Sequence, residues 1–372
     1  MTTTLLVATR KGLFSVERGR EWRITAVDFL GDNCSAVFAD PANGTMLAAL
    51  DHGHFGAKLH RSTDGGNSWH EIEAPKYPPK SEDEEDWVDT HGRTIPDSLV
   101  LVWCLEADHP SRADGIWCGT VPGGLFYSAD RGDSWRLVES LWNHPLRRRW
   151  FGGGMDYPGI HSLCVDPGDP GRVCMGVSCG GVWLSGNAGK EWECVGEGWR
   201  SDYLPPELAG DPAIQDVHRL AQCGTHPEVL WVQHHNGIFR STDGGRHWTE
   251  LEDVQPSAFG FALAAHPDDP DTAWFVPEIK DERRIPVDGK LVVNRTRDGG
   301  RSFETLSRGL PQEHAYDLVY RHGLAVDAEG KVLAMGSTTG SLFVSEDSGD
   351  SWQCVSTHLP PVYALRFLER PA

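Results

Sequence analysis

The stretch RSTDGGRHW, residues 240–248, is almost repeated as RSTDGGNSW at residues 61–69. Both read S-x-D-x-G-x-x-W, and the word recurs from Ser62, Ser128, Ser185, Ser241, Thr296 and Ser345. Asn187 replaces the aspartate in the third copy and Phe303 the tryptophan in the fifth. A worn copy, SVERGREW, occupies residues 15–22, with Glu17 in the acidic place. Each residue type has a role in a tight turn. The Asp accepts hydrogen bonds from turn amides, the Gly supplies a positive φ, and the aromatic residue packs between neighbouring sheets. Apolar segments such as GLFYS, GVWLS and GIFRS run into the word, and WRLV, WECV and WQCV run out of it. The word is therefore a hairpin turn.

Its final aromatic residues fall at 22, 69, 135, 192, 248, 303 and 352, a spacing of roughly fifty to sixty residues that suits one four-stranded blade each. The seven copies predict an all-β chain, residues 1–372, forming a single seven-bladed β-propeller with four-stranded antiparallel blades. Blades 2 to 7 are expected at residues 34–73, 100–139, 160–196, 217–252, 258–306 and 321–356. Blade 1 combines 4–26 with 362–368, because TLLVATRKGLFSV aligns with the second and third strands of a blade and VYALRFL with the first. Closing the ring with the C-terminal strand removes an exposed edge.

Composition agrees with a strand-rich repeat protein: 372 residues with Gly 42, Pro 24 and Trp 15. A formal net charge of -20 argues against nucleic acid and anionic membrane as partners, since phosphates need a basic footprint. No apolar run reaches the length of a bilayer span, and the start lacks a basic signal-peptide region, so a cytoplasmic location is expected. The nine cysteines show neither C-x-x-C nor zinc-finger spacing and read as small buried fillers. The glycine-rich FGGGMDYPG, residues 151–159, does not join a strand to a helix; it reads as a lip over the channel mouth, and no nucleotide cofactor is expected. The run SEDEED, residues 81–86, reads as solvated loop, and RRRW, residues 147–150, as an anion site or a surface contact.

These repeats resemble the Asp-box or BNR repeat of sialidases, two-domain xyloglucanases, sortilin-like receptors and the photosystem II assembly factor. The resemblance covers nearly the whole chain. It implies a propeller in which Asp64, Asp130, Asp243, Asp298 and Asp347 are structural, and it leaves the activity to be argued from the site. True sialidases carry an Arg-Ile-Pro motif before the first box, whereas here RIP occurs only at residues 284–286.

Two kinds of connection distinguish the faces of such a ring. The turns between first and second strands are terse (DPANGT, DPGDPGR, HPDDPDT), and the repeated word fills the third-to-fourth turns on the same side. The extra length falls on the other side, at residues 75–98, 140–159, 197–216, 277–290 and 307–321. Long loops cluster where sites are built, so the face remote from the repeated turns is expected to be functional. The innermost strands start there at Ser35, Trp103, His161, His218, Phe261, His322 and Tyr363. Three imidazoles in one register suggest a divalent metal held by His161, His218 and His322. Nearby, LDHGH, VQHHN and VPEIKDERR add further groups. His234, Glu278 and Tyr316 are the expected proton-transfer residues, and Trp103, Arg219, Arg283 and Arg321 the expected substrate contacts. The resulting expectation is a metal-assisted hydrolase or lyase for a sugar or other small polar or anionic molecule. The alternatives are a sialidase-like glycosidase and a non-catalytic binding or assembly propeller; oligomeric state is left open.

Overall fold

The repeated turn forms the same hydrogen-bonded knot in each clear copy. At Asp64, Oδ1 accepts from the Ser62 hydroxyl (2.8 Å) and the Ser68 amide (2.9 Å), while Ser62 Oγ accepts from the Gly66 amide (2.9 Å). The Asp130, Asp243, Asp298 and Asp347 turns repeat this. Asn187 reproduces it through Oδ1 with the Glu191 amide at 2.9 Å. Gly66 sits at φ 88 and Gly245 at φ 91, backbone that disfavours a side chain. The worn copy is an ordinary strand turn; its Trp22 instead donates to Glu346 Oε1 at 2.8 Å.

The computed structural model describes residues 3–80, 85–153 and 155–368. The first part of the acidic run, 81–84, and Gly154 of the glycine-rich lip lie outside the described residues. Seven four-stranded antiparallel sheets form a ring, and blade 1 has the order Val362–Leu368, Thr4–Thr9, Gly12–Arg18, Trp22–Asp28. The C-terminal strand thus supplies its innermost position, pairing Leu365 with Val7 and Phe367 with Leu5. The other inner strands are Asn33–Ala39, Leu101–Ala107, Ile160–Val165, Val217–Gln222, Gly260–Ala265 and Leu324–Val326, each against the next around the channel.

The apolar core is distributed between blades. Trp183, Trp231, Trp274, Phe126 and Phe239 are fully buried and sit in separate clusters, each shared by neighbouring sheets. Every blade therefore depends on two others for its burial. The cysteines are all free, and seven of the nine are buried, as fillers should be.

The inner strands share one irregularity that positions the site. Their pairing with the second strand shifts between Cys34 and Ala36, Val102 and Cys104, Ile160 and Ser162, Val217 and Arg219, Gly260 and Leu263, and beside Tyr363. The residues left unpaired include Ser35, Trp103, His161, His218 and Phe261. A bulge re-aims the extra side chain and bends the strand. The shared register seen in the sequence is thus a ring of bulges at one mouth of the channel. Among the described residues, no helix is long and apolar enough to cross a membrane.

Candidate active site at the bulged mouth

Each of the three in-register histidines reaches a backbone carbonyl outside its own blade. His161 donates through Nε2 to Val217 O (2.7 Å), and its Nδ1 lies 2.8 Å from the Ser162 hydroxyl. His218 donates through Nδ1 to Gly260 O (2.7 Å). His322 reaches across the channel, from blade 7 to blade 4, and donates to His161 O at 2.6 Å. Burial pulls His161 well below the usual histidine range, helped by the positive charge of Arg321, and it brings His322 down to about 3. These rings are neutral hydrogen-bond struts. The three do not converge on a common centre, so the expected ligand set is corrected: only His218 stays in a polar cluster.

That cluster contains Asp216, His218 and His235, whose ligand-type atoms all lie within 4.8 Å of one another. Asp216 precedes the inner strand of blade 5, and its Oδ2 lies 3.4 Å from His218 Nε2 and 3.3 Å from His235 Nδ1. The His235 amide donates to the Asp216 carbonyl at 3.0 Å, locking the second strand's end beside the first strand's start. Aromatic rings wall the group. Phe261 stacks on His218 at 4.4 Å, Phe259 stands edge-on to both histidines, and Tyr203 lies 4.7 Å from His235. Burial would push the Asp216 carboxyl up, but His218 and His235 hold it well below its ordinary value. Burial lowers His218 against the opposing pull of Asp216. For His235, burial works downward and Asp216 outweighs it, so the net shift is upward. His235 is the solvent-facing member, with 26% of its side chain exposed.

Arg321 lies alongside. Its guanidinium sits 5.0 Å over the Trp103 ring and 5.5 Å over Phe261. The residue is 6% exposed, and Nε and Nη2 are buried with no hydrogen-bond partner. Burial pulls its pKa down and Asp216 pulls it up; a guanidinium stays charged across the physiological range.

Other expected residues fall elsewhere. His234 is the neighbour of the useful histidine: fully buried beside Trp199, it accepts from the Asn236 amide (3.1 Å) and is lowered by burial to about 3. Strand alternation sends it into the core and leaves His235 at the mouth. Glu278 is fully buried, its carboxylate oxygens make no close hydrogen bond, and burial raises it to about 8 against the pull of the Val319 amide, with Asp317 adding to the rise. Tyr316 is 59% exposed. Arg283 points to solvent, whereas Arg284 turns inward over Phe261 (5.1 Å) and pairs with Asp281. Arg219 donates to His161 O at 3.2 Å and lines the channel below the mouth. Arg147 stacks on Trp142 and Trp87, so RRRW packs the loop.

A cavity of about 530 Å³ occupies the channel itself. Its lining comes from the later halves of the inner strands and the terse turns, including Glu106, Asp108, Arg219, Asp327 and Arg366, and it stops at Trp103 and His322. It opens on the face of the repeated turns. The polar cluster thus lies at the starts of the inner strands and the cavity along their later halves, with His322 hydrogen-bonded across the channel between them.

Asp216 is the participant that residue types alone did not single out; His235 and Arg284 belong to the quoted stretches VQHHN and VPEIKDERR, where their neighbours His234 and Arg283 were preferred. The signal for Asp216 was the D-x-H spacing of QDVH at the start of an inner strand. A seven-bladed β-propeller with a carboxylate–histidine cluster and a buried arginine at one mouth is the class that fold and site define. No family model matches the chain. A xyloglucanase from Paenibacillus is 29% identical over 255 residues, 62% of this chain and 23% of that protein. The chain spans about a quarter or less of the length of the curated relatives it matches. Among solved structures, an ancestral GH74 enzyme has TM-score 0.54 at 16% identity, covering 86% of this chain and 38% of that one. YCF48 bound to D1 peptide has TM-score 0.50 at 15% identity, covering 87% and 82%. Both likenesses are of fold.

Proposed function

We propose that the chain is a carbohydrate-active, metal-assisted hydrolase or lyase, built on Asp-box repeats, that acts on a small anionic sugar at the bulged mouth. The carrying observation is Arg321 beside the Asp216–His218–His235 cluster. A buried cation with hydrogen-bond donors left unmet is costly, so Nε and Nη2 are suited to a group that arrives with the substrate. The unpartnered Nε and Nη2 are one edge of the guanidinium. Elsewhere in the protein that edge forks a carboxylate: Arg200 holds Glu250 this way at 2.8 and 3.0 Å, and Arg18 grips Glu346 likewise. A planar carboxylate is the matching ligand. Trp103 and Phe261 offer apolar faces to the sugar ring. A divalent ion at the cluster would polarise a carboxylate or carbonyl, or activate water. The likeness to a xyloglucanase supports a sugar over other anions.

The test is turnover of uronate-containing oligosaccharides against neutral xyloglucan fragments, following both new reducing ends and unsaturated products, which separates hydrolysis from elimination. Arg321→Lys should raise KM for the acidic substrate roughly 10- to 100-fold and leave neutral sugars untouched. Equal turnover of neutral and acidic substrates, or an unchanged KM in the variant, would overturn the proposal.

A further inference from the structure

We infer that Asp216, His218 and His235 form a binding site for one divalent transition-metal ion of the zinc type. This deepens the reading above by naming the ion's ligands, but metal binding is measured without substrate, so the two fail separately.

The tautomer of His218 carries the argument. Its Nδ1 faces a carbonyl, Gly260 O, at 2.7 Å, and a carbonyl only accepts, so Nδ1 bears the hydrogen. In the neutral ring Nε2 then presents a lone pair, and it points at Asp216 Oδ2 from 3.4 Å. His235 Nδ1 meets the same oxygen at 3.3 Å. Electron-rich atoms held face to face repel unless a cation or proton lies between them. The separations are long for hydrogen bonds. They match the edge of a coordination tetrahedron, since bonds of about 2.0–2.2 Å place ligand atoms about 3.3–3.5 Å apart. Asp216 adds an independent sign: it is 6% exposed, and its Oδ1 is buried without a partner.

The surroundings suit an ion as well. A ligand histidine is usually oriented by a hydrogen bond from its other nitrogen, as His218 is by Gly260. The ligands come from adjoining strands, which fixes their spacing. Two imidazoles and one carboxylate favour zinc and its neighbours Co2+ and Fe2+ over magnesium or calcium, which prefer all-oxygen sites. Three protein ligands leave a fourth position open, the arrangement of catalytic centres, and the exposed flank of His235 marks that side.

The test uses the full chain, stripped with chelator and titrated with Zn2+ in a calorimeter. One equivalent should bind, and Co2+ should give the intense visible absorption of a four-coordinate ion. His235→Ala should weaken Zn2+ binding by roughly 100-fold or more while leaving the circular dichroism and apo Tm unchanged, which separates ligand loss from misfolding. Asp216→Asn should behave alike. His247→Ala removes an exposed histidine near Asp243 and Glu197 on the other face and should change nothing. No saturable binding, binding unaltered in His235→Ala, or binding lost in His247→Ala would each overturn the assignment.

Discussion

Glu278 brings a carboxyl group to a place where neither oxygen makes a close hydrogen bond, and burial, opposed by the Val319 amide, raises it to about 8 from an ordinary 4.5. The sign of the consequence follows from proton counting. Between the unfolded and folded values the native chain holds a proton that the unfolded chain has released, so stability falls as pH rises. Well below the unfolded value of 4.5 both states are protonated and the contribution is level; it is lost as pH rises to about 8. Glu278→Gln removes the titration. Urea midpoints across pH 5–8 should therefore slope downward in the native protein by at most roughly 1.4 kcal/mol per unit more than in the variant. Parallel curves would show that the carboxyl does not titrate there. The same scale shows why the histidines misled. Their register was legible, because the bulge recurs at one place in six of the seven inner strands and His322 holds the matching place before the seventh. Their partners were not: Val217 O, Gly260 O and His161 O are backbone atoms, and no residue identity announces which carbonyl ring curvature brings near. His234 and His235 are adjacent and equally suggestive in sequence, and only strand alternation separates the core one from the mouth one.

The repeated turn is the element whose meaning was fully local. Its donors and acceptors lie within a few residues, so residue types alone specified it. Asp243 Oδ1 takes the amides of Arg246 (3.1 Å) and His247 (3.0 Å) and the hydroxyl of Ser241 (2.9 Å). Although partial burial works the other way, the His247 amide and ring bring its pKa down to about 2. Asp243→Ala leaves those donors to water and should destabilise the protein by about 2 kcal/mol, with kcat and zinc affinity unaltered, because the turn lies at the far end of the strands from Asp216. A change in turnover without a change in Tm would contradict that division. The long loops read differently. Their placement on one face was legible from length alone; that Asp216 closes one of them beside His235 depended on pairing across the blade.

At the scale of the molecule, the ring is held by a single non-local strand. Val362, Leu365 and Phe367 join Leu5, Val7 and Leu342 in one apolar cluster, so the two ends of the chain share a blade. Leu365→Ala should cost about 2–5 kcal/mol by leaving a cavity at the seam, read as a fall in the urea midpoint of the whole transition. A small, separate early transition would mean that the seam opens by itself. This closure was legible because VYALRFL repeats the pattern of the other inner strands. The state of the channel was not, since it turns on one side chain crossing the ring. His322, bonded to His161 O at 2.6 Å, acts as a crossbar. The crossbar consequently narrows the bore between the two mouths. A chain molecule is then offered to this ring more readily by an end or a side than by threading.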